Sequence, residues 1–159
     1  MHGHRDLPAE QSVRVERTAG RLRVAELPAA LREELLARAR AAAPREACGV
    51  MLGARAGDRT AVRAVFEAQN LARGAERFEL DPGDVVRAER VARARGLELV
   101  GFWHSHPRGP ASPSAEDARA AWPGHLHVIV APCACPRISV WLSAGGRLEG
   151  VGLITPTDG

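Results

Sequence analysis

The sequence contains no lysine and no tyrosine: all 22 of its basic residues are arginine, and aromatic residues make up only 4%. With so much Ala, Gly and Pro alongside, coding bias is the plain explanation of that usage. Cysteine is scarce too. Cys48, Cys133 and Cys135 are an odd count with one Cys-x-Cys pair, which excludes a paired disulfide framework and suits a reducing, cytoplasmic setting. No apolar run approaches the ~18 residues of a membrane span. Met1 to Gly20 is polar and lacks the apolar centre of a signal peptide, so residues 1–20 read as a tail and 21–159 as one domain. A net charge of +3 is too small to argue for nucleic acid or a membrane surface as partner. What remains is 159 residues, 45% hydrophobic and 26% charged, which fits one globular domain with an ordinary core.

The patterning alternates strands with helices. Gly20 to Ala25 reads as a first strand, with a shorter one at Val13 to Val15 before it. Pro28 opens a helix whose buried face is Leu31, Leu35 and Ala39, and Pro44 stops it. Cys48 to Ala54 and Ala61 to Ala68 read as strands joined by a turn at Gly57-Asp58. Arg77 to Leu80 reads as a short strand. Asp81 caps a second helix that ends at Gly96, with Val85, Ala88, Val91 and Ala92 inward and a solvated stripe of Arg87, Arg90 and Arg93. Leu97 to Trp103 is a buried strand, Ser114 to Ala121 a short helix, and three strands from Leu126 to Ile154 close the chain. This order predicts an α/β or α+β fold, a single curved mixed sheet flanked by about three helices.

The most informative stretch is "GFWHSHPRGPASPSAED". On a strand, residues two apart share a face, so His104 and His106 present both imidazoles to one side and Ser105 turns away to hydrogen-bond locally. Asp117 lies eleven residues beyond His106, at the start of the short helix. Two imidazoles and a carboxylate suit Zn²⁺ and leave its fourth position for water, as in a catalytic site. Each part has a plainer reading: two ligands do not define a metal site, and Ser114 to Asp117 has the spacing of a capping box. A strand-borne pair, a Gly/Pro loop and an acid at a helix start outweigh those readings in combination.

Hydrolysis also needs a base for the water's proton. Glu46, in "PREACGVMLG" just ahead of a buried strand, is the best candidate; Glu67, Glu76, Glu79 and Glu116 compete on sequence alone. Ser114 could donate its hydroxyl to an oxyanion or simply cap the helix.

These segments resemble the signature of the JAMM (MPN-type) zinc metallopeptidases: His-Ser-His-Pro, then seven residues after the second His, Ser, two residues and Asp. "PREACGVMLG" is similar to the upstream segment that carries the family's catalytic Glu. The resemblance spans roughly Leu22 to Ile154 and implies a JAMM/MPN-like architecture related to that of cytidine deaminases. It implies one Zn²⁺ held by His104, His106 and Asp117, Glu46 as general acid/base, and Ser114 as oxyanion stabiliser. Inactive members lose these residues, whereas this chain keeps all five. Members that cut ubiquitin chains carry insertions that bind the ubiquitins; only nine positions separate Asp117 from Leu126 here, leaving no room for the second. The chain looks more like compact prokaryotic members. That implies a peptidase or isopeptidase acting after the Gly-Gly terminus of a small ubiquitin-like or sulfur-carrier protein, whose tail would lie along an exposed strand edge.

Other readings draw on other residues. A metal-retaining scaffold without activity would keep the ligands and not need Glu46. A DNA-repair-associated relative would carry Asn where this chain has Ser105. Nucleobase deaminases use His-x-Glu with Pro-Cys-x-x-Cys, and Pro132-Cys133-Ala134-Cys135 is one residue short. His125, His127, Cys133 and Cys135 could make a second, structural zinc site, though their spacing is not that of a finger. Oligomeric state is open, a homodimer included.

Overall fold

The computed structural model describes residues 24–156. The expected strand at Val13 to Val15 and the 1–20 tail lie outside them. The elements are β1 (Val24–Glu26), α1 (Ala29–Ala42), β2 (Cys48–Ala56), β3 (Arg59–Ala68), α2 (Pro82–Ala94), β4 (Glu98–Ser105), α3 (Ala115–Ala120), β5 (Leu126–Ala131), β6 (Arg137–Ala144) and β7 (Arg147–Ile154).

The mixed sheet and three helices match the expected α+β class, but the curvature goes further than the sequence suggested. The strands run β1-β3-β2-β4-β5-β6-β7 and close into a barrel. Closure depends on β1, which pairs in parallel with Arg59–Ala61 of β3 on one side and Gly152–Ile154 of β7 on the other. Irregular register at Leu52/Gly53 against β3 and Met51/Leu52 against β4 marks where β2 bends. Because β1 is so short, residues 62–68 of β3 and 147–151 of β7 have no strand partner on that side among the described residues, and an open edge remains.

Strand alternation sorts side chains into two cores. One face of the sheet presents Met51, Val62, Val100, Trp103, Val128 and Val130 to Leu35, Leu36 and Ala39 of α1. The other presents Val50, Leu52 and Phe102 to Ala88 and Ala92 of α2. Trp103 lies across β2 and donates its indole N–H to the Phe66 carbonyl at 3.1 Å. Gly49 makes this possible: a Cβ there would stand 1.9 Å from the Phe66 oxygen and 2.4 Å from Trp103 Nε1.

The helix ends follow local chemistry. Asp81 accepts from the Gly83 N–H at 2.8 Å and Pro82 fills the first turn. Gly96, at φ +65°, ends the turn beyond Arg95. Arg87, Arg90 and Arg93 are exposed, as a solvated stripe should be. The expected strand at Arg77 to Leu80 is not one. It reduces to a single bridge, Asn70 with Leu80, because side-chain bonds rather than a ladder hold this segment.

Candidate metal centre and catalytic cleft

His104 is the last but one residue of β4 and His106 follows the strand's end, both on the Phe102 face. Their Nε2 atoms stand 3.0 Å apart. Asp117 arrives on the first turn of α3. Its Oδ1 lies 3.3 Å from His104 Nε2 and its Oδ2 3.2 Å from His106 Nε2. A tetrahedral ion with bonds of about 2.0–2.1 Å sets its donors about 3.3 Å apart. The three side chains approach that spacing, each imidazole facing a different oxygen of Asp117. Among the described residues they are the only three or more His, Cys, Asp or Glu side chains whose donor atoms gather within 4.8 Å.

Neighbours fix these side chains. The Pro110 carbonyl, 2.9 Å from His106 Nδ1, accepts that nitrogen's proton and leaves the Nε2 lone pair aimed at the centre. Phe78 stacks on the His104 ring at 4.3 Å and 19°. Ser114 and Asp117 form a full capping box: Asp117 N–H donates to Ser114 Oγ at 3.0 Å, and Ser114 N–H to Asp117 Oδ2 at 2.9 Å. The capping box and the approach to the histidines are compatible, because the box turns the carboxylate toward them.

The electrostatics favour a cation. Burial opposes ionisation of Asp117, yet the two imidazoles hold its carboxyl well below the usual range. Burial depresses His104, against its Asp117 hydrogen bond. His106 is raised: burial opposes this, but its bonds to Asp117 and the Pro110 carbonyl win. The geometry that would hold a proton between imidazole and carboxylate also suits a metal ion.

Beside this centre is a cleft of about 340 Å³, lined by Glu46, Arg77, Phe78, His106, Ser114 and Asp117. Glu46 is 8% exposed, and its carboxyl is raised to about 7, mainly by burial, with His106 opposing and Asp117 adding. Its competitors differ. Glu67 is engaged by Arg38, Glu116 pairs with Arg77 at 3.5 Å, and Glu76 and Glu79 are exposed. The Ser114 hydroxyl accepts one hydrogen bond through a lone pair, so its own proton stays free to donate.

One expectation fails. Ser105 does turn away from the histidines, but its partner is not local: Oγ accepts the Ala47 N–H at 2.8 Å, and Ser105 N–H donates to the Ala47 carbonyl at 2.9 Å. It thereby ties the metal-bearing strand to the residue after Glu46. The alternative of a second zinc site finds no gathered donor set among the described residues. The His125 ring bonds the Pro123 carbonyl, His127 takes the Trp122 N–H, and Cys133 and Cys135 are exposed in the β5–β6 turn. Phe78 was missed. Its signal was the apolar alternation Phe78, Leu80, which read as strand.

Residues 28–143 match the family described as prokaryotic homologs of the JAB domain. The chain is 38% identical over 112 residues to a desampylase of Haloferax volcanii, covering 67% of this chain and 79% of that protein. It is 32% identical over 95 residues to a probable TtuB-protein conjugate cleaving protease of Thermus thermophilus, covering 60% of this chain and 62% of that one. A solution structure of a Desulfitobacterium hafniense protein superposes with a TM-score of 0.77 at 33% identity, over 85% of this chain and 94% of that chain. A family match over most of the barrel, joined to a histidine pair and aspartate in metal-binding geometry, makes this chain a member of the prokaryotic JAB-domain family.

Proposed function

We propose that this protein is a zinc-dependent isopeptidase. It hydrolyses peptide or isopeptide bonds after the C-terminal Gly-Gly of a small ubiquitin-like or sulfur-carrier protein. The observation that carries the reading is a buried, proton-accepting carboxylate, Glu46, in the same cleft as the convergent His104, His106 and Asp117. A binding scaffold has no use for that carboxylate. The names of the relatives, a desampylase and a conjugate-cleaving protease, support the substrate class.

His104, His106 and Asp117 would hold one Zn²⁺ per chain. When bound, the ion supplies Lewis-acid polarisation of the scissile carbonyl and lowers the pKa of water. Glu46 takes a proton from the attacking water and returns it to the leaving amine as the C–N bond breaks. Ser114 donates its hydroxyl to the oxygen that becomes negative. The Arg77–Glu116 pair joins the two walls of the cleft, which favours a substrate with no side chains beside the scissile bond. Residues 21–159 would form the catalytic domain, with 1–20 a polar tail. Among the described residues no helix is long and apolar enough to cross a membrane, and the free cysteines favour a cytoplasmic setting.

The test is mass-spectrometric: zinc-loaded protein is incubated with a Gly-Gly carrier bearing a short C-terminal extension, with casein alongside. Cleavage after Gly-Gly is expected. Rapid casein degradation, or cleavage indifferent to replacing the glycines with valine, would overturn the substrate assignment.

A further inference from the structure

We propose that Asn70 is a positioning residue for the reaction: its side-chain amide clamps the Glu46 peptide to the opposite wall of the cleft. The proposal rests on the assignment of Glu46 as base.

Asn70 stands where the chain leaves β3. Its Oδ1 accepts the N–H groups of Ala72 and Glu79, each at 3.0 Å. Its Nδ2 donates to the carbonyls of Glu46 and Arg77, each at 2.9 Å. Both amide protons and both lone pairs are used, so the side chain has no spare capacity. The orientation is forced, since a flipped amide would face two N–H groups with its NH₂ and two carbonyls with its oxygen. The bond to Ala72 alone would be an ordinary Asx turn. The bond to Glu46, 24 residues away in sequence, has no part in a turn.

One planar group therefore holds four backbone points. Two of them flank Phe78, which stacks on His104, and one is Arg77, which reaches Glu116 on α3. Arg45 adds a bond to the Ala72 carbonyl at 2.7 Å. Glu46 needs such a hold. It sits in the connection between α1 and β2, and a desolvated carboxylate gains by turning out to water. Ser105 Oγ takes the Ala47 N–H and Asn70 Nδ2 the Glu46 carbonyl, so the two side chains hold opposite sides of the one Glu46–Ala47 peptide group. Displacement by even 1 Å costs a reaction heavily.

Asn70→Asp keeps the two acceptor sites and turns an oxygen on the Glu46 and Arg77 carbonyls. We expect kcat on the extended Gly-Gly carrier to fall about tenfold or more, with KM changing less and one zinc per chain retained. The Glu46→Gln, Asn70→Asp double variant should be no slower than Glu46→Gln alone, because a residue acting through Glu46 has nothing left to position. The backbone ¹³C carbonyl shifts of Glu46 and Arg77 should move in Asn70→Asp. Multiplying losses in the double variant, an unchanged kcat, loss of zinc, or an unmoved Glu46 carbonyl shift would each overturn the proposal. If Asn70→Asp does not fold, Asn70→Ala carries the same comparisons. A wild-type protein that cleaves no carrier would instead refute the substrate reading, and the carbonyl shifts would still decide the clamp.

Discussion

Among the described residues His-x-His occurs twice, beside neighbouring parallel strands, and only one copy gathers with a carboxylate. His104 and His106 flank the last residue of β4; His125 and His127 flank the first residue of β5, with His127 in register beside Phe102. His104 and His127 even line one small apolar pocket with Phe78 and Trp122. The spacing is the same and the face is shared. What differs is the fate of the nitrogens. His127 Nε2 already accepts the Trp122 N–H at 3.2 Å; His125 Nδ1 meets the Pro123 carbonyl at 3.0 Å much as His106 Nδ1 meets that of Pro110, but no acid gathers with it among the described residues. The other pair keeps both Nε2 atoms aimed at one point, where the capping box of α3 delivers a carboxylate. Period-two spacing makes a pair; an acid from another element makes a site.

The sharpest break of this comparison is metal content. His106→Ala with Asp117→Ala should leave the protein zinc-free and without turnover, since one imidazole cannot hold the ion alone. His125→Ala with His127→Ala should retain one zinc per chain. Elemental analysis of both purified variants decides it, and full occupancy in the first or loss in the second would reverse the assignment.

The next effect separates binding from chemistry. Glu46→Gln should keep the zinc and lose at least ~10² in rate, the scale of general-base catalysis. Stability offers a second readout. Because the Glu46 carboxyl is raised from 4.5 to about 7, the folded chain binds a proton between those values that the unfolded chain has released. Its contribution is therefore lost as pH rises through that window. In metal-free protein, Glu46→Gln should remove this loss, on the order of 1–3 kcal/mol. A urea titration at pH 4.5 and pH 8 that shows the same difference between wild type and variant would count against a buried Glu46.

Ser114 comes third, because it has two jobs. Ser114→Ala should cost on the order of 10² in kcat through the lost oxyanion donor, and ~1 kcal/mol through the lost cap. Ser114→Gly loses the same hydroxyl but tolerates the cap position better, by all but a few tenths of a kcal/mol. Equal rates with unequal melting temperatures would assign the hydroxyl to chemistry. Rates that track stability would assign it to the helix alone.

Much of this was legible because it is local. Strand alternation put His104 and His106 on one face, the Ser114–Asp117 spacing announced the cap, and Glu46 stood just before an apolar run. What was not legible is long-range. Three residues of β1 close the barrel by pairing with strands more than 30 and 120 positions away, and a stretch that short carries no pattern to announce it. Ser105 found its partner at Ala47, 58 residues away, not nearby. Phe78 and Leu80 alternate as a strand would, but Asn70 takes the backbone groups that a ladder needs. Side chains that compete for backbone hydrogen bonds are invisible to hydrophobic periodicity.

The smallest effect on function concerns His127, and it tests the other half of the comparison. Burial lowers its pKa to about 4, against the nearby Trp122 carbonyl, with His104 adding to the depression. Between pH 6.5 and 4 the unfolded chain therefore binds a proton that the folded chain refuses, so acidification through that window destabilises the fold. His127→Gln keeps an acceptor for the Trp122 N–H but cannot titrate. At pH 7.5 it should match wild type in turnover and zinc content. As pH falls to 4, wild type should lose stability relative to the variant by up to about 2–3 kcal/mol. Because Glu46 titrates in the opposite sense, the pair is best compared in the Glu46→Gln background, by urea denaturation at each pH after metal removal. A stability difference that stays flat across the window would mean His127 is charged or solvated in the fold. The two histidine pairs would then differ less than their hydrogen bonds imply.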